Sequence, residues 1–249
     1  MLDSICSFLD QFLEIRDVED YPNALNGLQL QNDGRVTRIG AAVDASEAVI
    51  EMAVGQQIDL LLVHHGLFWG GLTPLVGAQF RKVKRAIYAN LAIYSAHLPL
   101  DLHPGVGNNI LLARALELGE PEPFLLHKGQ KLGVAISTKI ARAELVVRLR
   151  ELLGWELWIC PGGPEEVRRV GILTGGGGGQ IEKAGAEGID TFVTGEGPHH
   201  TFSLAEELGM NLIYGGHYAT ETFGVRALAE RVASQFALSW TFLDHPSGL

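Results

Sequence analysis

Cysteine is nearly absent from this chain of 249 residues, occurring only as Cys6 and Cys160. Two thiols make no disulfide framework and neither lies in a Cys-x-x-Cys pair, so a reducing compartment and two core thiols are expected. Long apolar runs are missing too. None approaches the roughly 20 residues that span a bilayer. The opening Met1-Leu-Asp-Ser-Ile-Cys-Ser-Phe-Leu-Asp-Gln-Phe-Leu13 spaces its apolar residues as a helix does, with acidic residues between them and no basic region of a signal peptide. The expectation is a soluble, cytoplasmic protein that does not meet a membrane. Positive charge is sparse: 19 Lys+Arg against 29 Asp+Glu leaves a net charge of -10. Direct nucleic-acid binding, which rests on basic surface that displaces counterions, is not expected. Arg81-Lys-Val-Lys-Arg85 is the one local exception, to be read as the solvated face of a helix or as a phosphate-steering patch. Low-complexity sequence is confined to Gly175-Gly-Gly-Gly-Gly179.

What is present is an ordinary globular composition, 47% hydrophobic and 19% charged, long enough for one large or two modest domains. Short apolar runs alternate with helical patterns. Strands are predicted over 38–43, 60–63 and 92–95 and near Val134, Val170, Thr191, Leu212 and Thr241. Helices are predicted over 46–55, with Ser46 or Asp44 as cap, and over 79–89, 108–118, 142–153, 180–187, 201–208 and 224–236. This is α/β architecture. The stiff, polar Gly119-Glu-Pro-Glu-Pro123 is the expected linker, and the domains are drawn as 1–123 plus 215–249, binding metal, and 124–214.

The chain echoes itself. Ile58-Asp59 leads through an apolar run to His64-His65-Gly66, and Ile189-Asp190 leads with the same spacing to Gly195-Glu196-Gly197. Asn90-Leu-Ala-Ile-Tyr-Ser-Ala-His97, with Asp101 four residues on, has a counterpart in Asn211-Leu-Ile-Tyr-Gly-Gly-His217, with Glu221 four residues on. Two echoes in one order predict two similar, pseudo-symmetric α/β halves, with a metal site in the crevice between them.

His64, His65, His97, Asp101, Glu196, His217 and Glu221 all fall just past the carboxyl ends of strands, where α/β sheets bind ligands. Neighbouring strand residues face opposite sides, so His64 and His65 suit two adjacent ions better than one. His217 and Glu221, four apart on a helical turn, can converge on one centre. Imidazoles and carboxylates without thiolates select zinc, manganese, iron or cobalt, and a bridging carboxylate holds two such ions economically. His103, His127 and His245 read as structural. His199 and His200, after Gly-Pro, leave open whether one faces the crevice while the other caps a helix. Thr174-Gly-Gly-Gly-Gly-Gly-Gln180 reads as an amide cradle for an anion or as a flexible turn; it lacks the Lys-Ser/Thr of a P-loop.

Val63-His-His-Gly-Leu-Phe-Trp69, Ser95-Ala-His-Leu-Pro-Leu-Asp101, Leu173-Thr-Gly-Gly, Thr194-Gly-Glu196, Gly215-Gly-His-Tyr-Ala-Thr-Glu221 and the earlier Asn23-Ala-Leu-Asn-Gly-Leu-Gln29 together resemble the motifs of the NIF-three-like proteins, many of which are called GTP cyclohydrolase 1 type 2 homologues. The resemblance spans the whole chain. It implies two divalent ions held by His64, His65, Asp101, His217 and Glu221, with Glu221 as the bridge and His97 beside them as weak ligand or general acid/base. It also implies a toroidal homohexamer with sites facing an inner cavity, in the cytoplasm. This sequence is the short form, without room for an inserted domain between the halves.

The function expected is therefore that of a metal-dependent hydrolase acting on a nucleotide or related small molecule through a metal-activated water. GTP ring opening would need attack at the purine C8, His97 or Glu196 to move protons, and donors for a triphosphate. Clustered cations for four negative charges are lacking. The competing reading is a non-catalytic metal-handling or regulatory protein. The internal echo places Glu196 opposite His65, close enough to share a water with the ions without binding them, and suited to act as a general base.

Overall fold

The computed structural model describes residues 1–249. In chain order its elements are α1 (Leu2–Phe12), β1 (Gly27–Leu30), β2 (Arg38–Asp44), α2 (Glu47–Gly55), β3 (Leu60–His65), α3 (Gly77–Tyr88), β4 (Ala92–Ser95), α4 (Leu98–Asp101) and α5 (Asn108–Ala115). There follow β5 (Pro121–His127), β6 (Gln130–Ala141), α6 (Arg142–Leu153), β7 (Trp158–Pro161), β8 (Glu166–Leu173), α7 (Ile181–Ala186), β9 (Thr191–Thr194) and α8 (Thr201–Leu208). β10 (Asn211–Tyr214), α9 (His217–Thr220), α10 (Thr222–Phe236) and β11 (Ser239–Phe242) complete the chain. Two compact units result, Met1–His103 with Gly224–His245, and Pro104–Phe223 with Pro246–Leu249.

The first unit is built on a five-stranded sheet ordered β1-β4-β3-β2-β11, and the second on a six-stranded sheet ordered β5-β6-β8-β9-β10-β7. The anticipated repeat is visible in these orders. In each unit three successive strands lie parallel, β2, β3 and β4 in one and β8, β9 and β10 in the other. Each triplet is flanked by an antiparallel strand that precedes it in sequence, β1 on β4 and β7 on β10. The register agrees as well: Ile39 pairs Leu60 as Val170 pairs Thr191, and Leu60 pairs Ala92 as Thr191 pairs Asn211.

The repeated Ile-Asp dipeptide has a physical task in both sheets. Asp59 Oδ2 accepts the amides of Thr37 and Arg38 at 2.7 and 3.1 Å, at the start of β2. Asp190 Oδ2 accepts those of Arg168 and Arg169 at 2.8 and 2.9 Å, in β8. The main chain repeats too: Ala92 N donates to Asp59 O and Asn211 N to Asp190 O, both at 2.9 Å. One carboxylate thus ties the entry of its own strand to the entry of the preceding one.

Burial follows from strand position. β3 is central and covered, so Leu60, Leu61, Leu62 and Val63 form an unbroken buried run rather than an alternating one. Ile50, Leu61, Val83, Ala86 and Ile93 belong to the core of the first unit. Ile136, Leu149, Val170, Val193 and Ile213 belong to that of the second. Each such valine, leucine or isoleucine side chain contributes roughly 1.5–3 kcal/mol on burial.

Several expectations are refined. β3 runs two residues past Val63 and takes in both histidines, because Asp44 still pairs His65 across the ladder. Ser46, not Asp44, caps α2, its hydroxyl accepting Val49 N at 3.1 Å. The supposed linker at 119–123 is already entering β5, paired with β6 from Pro121 on, so it is not a free hinge. The short strands β1 and β7 carry too few residues to show a periodicity. Cys6 and Cys160 are both buried, and burial, with Asp10 and Asp3, pushes the Cys6 thiol up to about 11. No helix is long and apolar enough to cross a membrane.

Replacing Asp59 or Asp190 by alanine strands two backbone amides in each case. Each variant is expected to lose about 1.5–3 kcal/mol, the scale of hydrogen bonds to a charged group. Thermal and urea unfolding check this, and equal losses in the two variants are the signature of the repeated role.

Candidate metal centre

In the first unit the histidine doublet is the end of β3. His64 is fully buried and its Nδ1 lies 3.0 Å from Ala96 O, just past β4. His65, half-buried, has Nδ1 2.9 Å from Asp44 Oδ1, at the end of β2. Strand alternation predicts that the two rings diverge. Instead their centroids are 4.6 Å apart. The ladder ends at His65, and the Asp44 carboxylate, not the pleat, decides where that ring points.

His97 follows β4 and precedes α4. Its Nδ1 lies 2.9 Å from Asp20 Oδ1, while its backbone amide donates to Asn26 Oδ1 at 2.7 Å. Asp20 is itself clasped, accepting Tyr21 N and Leu98 N at 2.7 and 3.1 Å and Asn26 Nδ2 at 2.8 Å. Burial alone would raise the Asp20 carboxyl, but the His97 hydrogen bond and charge, with Asn26 and the Tyr21 amide, hold it below the usual carboxylate range. Burial keeps the His97 imidazole below its usual range against the pull of Asp20. A neutral imidazole with Nδ1–H on a carboxylate presents Nε2 as its lone-pair nitrogen.

His64, His65 and His97 each offer a ligand atom, all within 4.8 Å of one another. Asp101, one turn after His97 on α4 and buried, brings Oδ2 to 3.5 Å from His64 Nε2. The Asn-Gly-Leu-Gln element is the clamp around this group. Gln29 Oε1 accepts Leu67 N at 2.6 Å and Gln29 Nε2 donates to Leu25 O at 2.7 Å. A Cβ on Gly66 would collide with the Gln29 amide, so a larger residue after the doublet would displace that clamp. Trp69 stands at the edge of the cluster, its ring centroid 4.2 Å from that of His97 and 5.0 Å from that of His65.

In the second unit His217 opens α9 and Glu221 follows it. His217 Nε2 lies 3.2 Å from Glu221 Oε2, and His217 Nδ1 lies 2.6 Å from Glu196 Oε1, just past β9. Glu196 is therefore the oxygen that orients His217. Burial would lower the His217 imidazole, but hydrogen bonds and charge from Glu221, then Glu196, carry it up to about 9.

The glycine run lies directly under this pair. Gly175, at φ +69, would drive a Cβ into the Glu221 carboxylate. Its amide donates to Thr220 Oγ1, Gly177 N to Thr194 Oγ1 and Gly178 N to Glu196 O, at 3.0, 3.0 and 2.9 Å. These amides serve the protein itself. With the amides of Gly175, Gly177 and Gly178 so engaged, this part of the run is a closely packed floor for Glu221 and the Glu196 loop rather than a loose turn. The basic cluster lies on α3, where Arg81 pairs with Glu47 and Arg85 with Glu51. It is a solvated, ion-paired face.

Sequence reasoning missed Asp20 and the part Asp44 takes at His65. Asp44 sits at a strand's carboxyl end, so the rule that picked out the histidines also reaches it. Asp20 lies in an irregular loop and carries no such signal. His103 rests on Phe12, centroids 4.3 Å apart, as a structural residue. His200 occupies the position before α8 without capping it by its side chain.

The profile of the Duf34/NIF3 family (NGG1p interacting factor 3) matches residues 1–247. The chain belongs to that family. It is 43% identical over 250 residues to the GTP cyclohydrolase 1 type 2 homolog of Deinococcus radiodurans, covering 99% of this chain and 94% of the relative. The protein of the same name from Archaeoglobus fulgidus is 39% identical over 248 residues, covering 100% and 99%. The crystal structure of TTHA1606 from Thermus thermophilus superposes with a TM-score of 0.92 at 41% identity, covering 100% of this chain and 99% of that one. The whole Duf34/NIF3 architecture is thus present, along with buried imidazole and carboxylate groups able to bind a metal.

Glycine substitution separates the floor of this site from its surroundings. Gly175→Ala is expected to displace Glu221 and to weaken divalent-ion uptake. Gly179→Ala, whose Cβ meets nothing within 4 Å, is expected to leave uptake unchanged. Equilibrium dialysis of the two variants against the same ion makes the comparison.

Proposed function

We propose that the chain is a metal-dependent hydrolase acting on a nucleotide or related small molecule, for which two divalent ions would be held by His64, His65, Asp101, His217 and Glu221, with Glu221 serving both. One observation carries the reading. In all four histidines of the two groups, Nδ1 faces an oxygen acceptor, Ala96 O, Asp44, Asp20 or Glu196, at 2.6–3.0 Å. That arrangement sets the ring orientation and makes Nε2 the donor atom, as ligating histidines require. The donors are imidazole and carboxylate without thiolate, which fits zinc, manganese, iron or cobalt.

When bound, such ions supply Lewis-acid polarisation and shift the ionisation of a water toward neutral pH. The chain's own residues do the rest. Asp20 orients His97 at Nδ1 and burial keeps the ring neutral, so that it can accept or return a proton at Nε2. Glu196 keeps one oxygen on His217, and its half-exposed carboxylate is the second group able to take a proton. The assembly proposed is a homohexamer in the cytoplasm; the apolar side chains that α3 and the loop before it expose, among them Leu72, Val76, Ile87 and Tyr88, support association with another protein surface.

Three measurements test this reading. Elemental analysis of loaded protein is expected to return close to two divalent ions per chain, with Glu221→Gln losing both, since a bridge serves both. Light scattering is expected to give the mass of six chains. Turnover of a panel of nucleotides, phosphoesters and cyclic amides by loaded protein is expected for at least one. Protein that yields its ions to a chelator and turns over nothing would be a carrier.

The pH dependence of loading follows from His217. Its metal-free imidazole, raised from 6.5 to about 9, is protonated at neutral pH, whereas a ligand must be neutral. Each ion loaded at that residue displaces a proton. The apparent affinity is expected to improve roughly tenfold per pH unit up to pH about 9 and then to level off, as isothermal titration in buffers of different ionisation enthalpy would show.

A further inference from the structure

The second unit holds a pocket of about 520 Å³ that the metal chemistry does not use, lined by Trp158, Gly197, Pro198, His199, Thr201, Phe202 and Tyr214. This volume is in the range that takes a single small-molecule ring system. Three of its walls are aromatic. Trp158 opens β7 and pairs across the ladder with Tyr214, the last residue of β10. Their rings are stacked at 5.1 Å and 22°, and Phe202 meets Trp158 edge-on at 5.3 Å and 62°. Trp158 nevertheless keeps 43% of its surface exposed, far above what a core tryptophan keeps.

The remaining wall is a braced turn. Thr201 Oγ1 donates to Pro198 O at 2.7 Å and is hydrogen-bonded to the Tyr214 hydroxyl. Gly197 permits this, since a Cβ there would strike the Tyr214 hydroxyl on one side and Gly178 on the other. His199, exposed at the rim, supplies a ring nitrogen pair for polar contact. Glu196, which orients His217, immediately precedes Gly197, so the pocket and that carboxylate share one turn.

We infer that this pocket binds a planar, uncharged heteroaromatic ring of a small molecule, stacked against Trp158 with its polar edge toward His199. The wall chemistry selects that class. No lining residue is Lys or Arg, so a phosphate finds no counter-charge. Aromatic faces give stacking, which every heterocyclic base provides irrespective of its edge pattern. As a statement about the substrate the inference rests on the hydrolase reading above, and it then names the part of the substrate that lies away from the ions. As a statement about binding it needs no ion.

The test uses full-length protein, metal-loaded and metal-stripped, with guanosine and adenosine as probes and ribose as the ring-free control, followed by saturation-transfer NMR and titration. Both nucleosides are expected to bind in both metal states and ribose in neither. Trp158→Ala should weaken nucleoside binding about tenfold or more, and Trp158→Phe should restore most of it, with metal content unchanged in both variants. Phe202→Ala gives an independent reading of the same wall should Trp158→Ala fold poorly. Wild-type protein that ignores nucleosides, or variants that bind them as tightly as wild type, would overturn the inference. So would a change of oligomeric mass in Trp158→Ala without nucleoside binding by wild type, since the pocket would then be a contact between copies. Nucleoside binding in protein that loads only traces of metal would sink the hydrolase reading and leave the pocket standing.

Discussion

An imidazole becomes a dependable donor at one nitrogen only when the other is committed, and this constraint organises both units. The acceptors come from the scaffold itself. Ala96 O lies just past β4 and Asp44 ends β2, the strands on either side of β3, whose last residues are His64 and His65. Glu196 lies just past β9, beside β10, from whose end the chain enters α9 at His217. Parallel strands that end level bring a carbonyl or carboxylate from one strand beside an imidazole from the next. Side-chain tautomer and ring orientation are thereby consequences of sheet register.

The two units share that register and use it differently. Counting from Asp59 and Asp190, the position of His64 is occupied by Gly195 and that of His65 by Glu196. Gly195 is required, because a Cβ there would lie 2.7 Å from His217 Cα and 2.6 Å from Gly175 O. The first unit therefore puts His64 and His65 on the end of the central strand, in addition to His97 and Asp101 in the turn after β4. The second leaves that place empty of side chain and brings its donors from the following turn, with Glu196 as their support. Gly175 completes the adjustment by making room for the Glu221 carboxylate.

This division explains what could be read in advance. Long helices with apolar stripes, such as α6, and a covered central strand such as β3 declare themselves by pattern, since burial acts on every residue in them. The repeat was legible because Ile-Asp and His-x-x-x-carboxylate recur in order, and Asp59 and Asp190 do the same work in the fold. Short edge strands such as β1 and β7 were not, because four residues on a sheet margin have no enforced alternation. Asp20 was invisible for a related reason: its place is set by an irregular loop whose hydrogen bonds to Asn26, Tyr21 and Leu98 exist only after folding. The glycine run was legible as an oddity, but its cause is a carboxylate 46 residues away at Glu221, beyond the reach of local pattern.

Charge then limits what these groups can hold. The two sets of residues include five carboxylates, Asp20, Asp44, Asp101, Glu196 and Glu221, each within hydrogen-bond or ion-pair reach of an imidazole. Such a set attracts cations strongly and repels anions until it is loaded. Neither set includes a lysine or an arginine that would make it an anion trap. A triphosphate with four charges needs more than this. The two features that resemble phosphate sites are otherwise engaged, Arg81 and Arg85 by Glu47 and Glu51, and the glycine amides by Thr194, Thr220 and Glu196 O. Recognition of an anion by these groups would therefore have to draw on shape and stacking more than on long-range attraction. The aromatic side chains Trp69 and Tyr21 in one unit, and Trp158 and Tyr214 in the other, are the surfaces able to supply it.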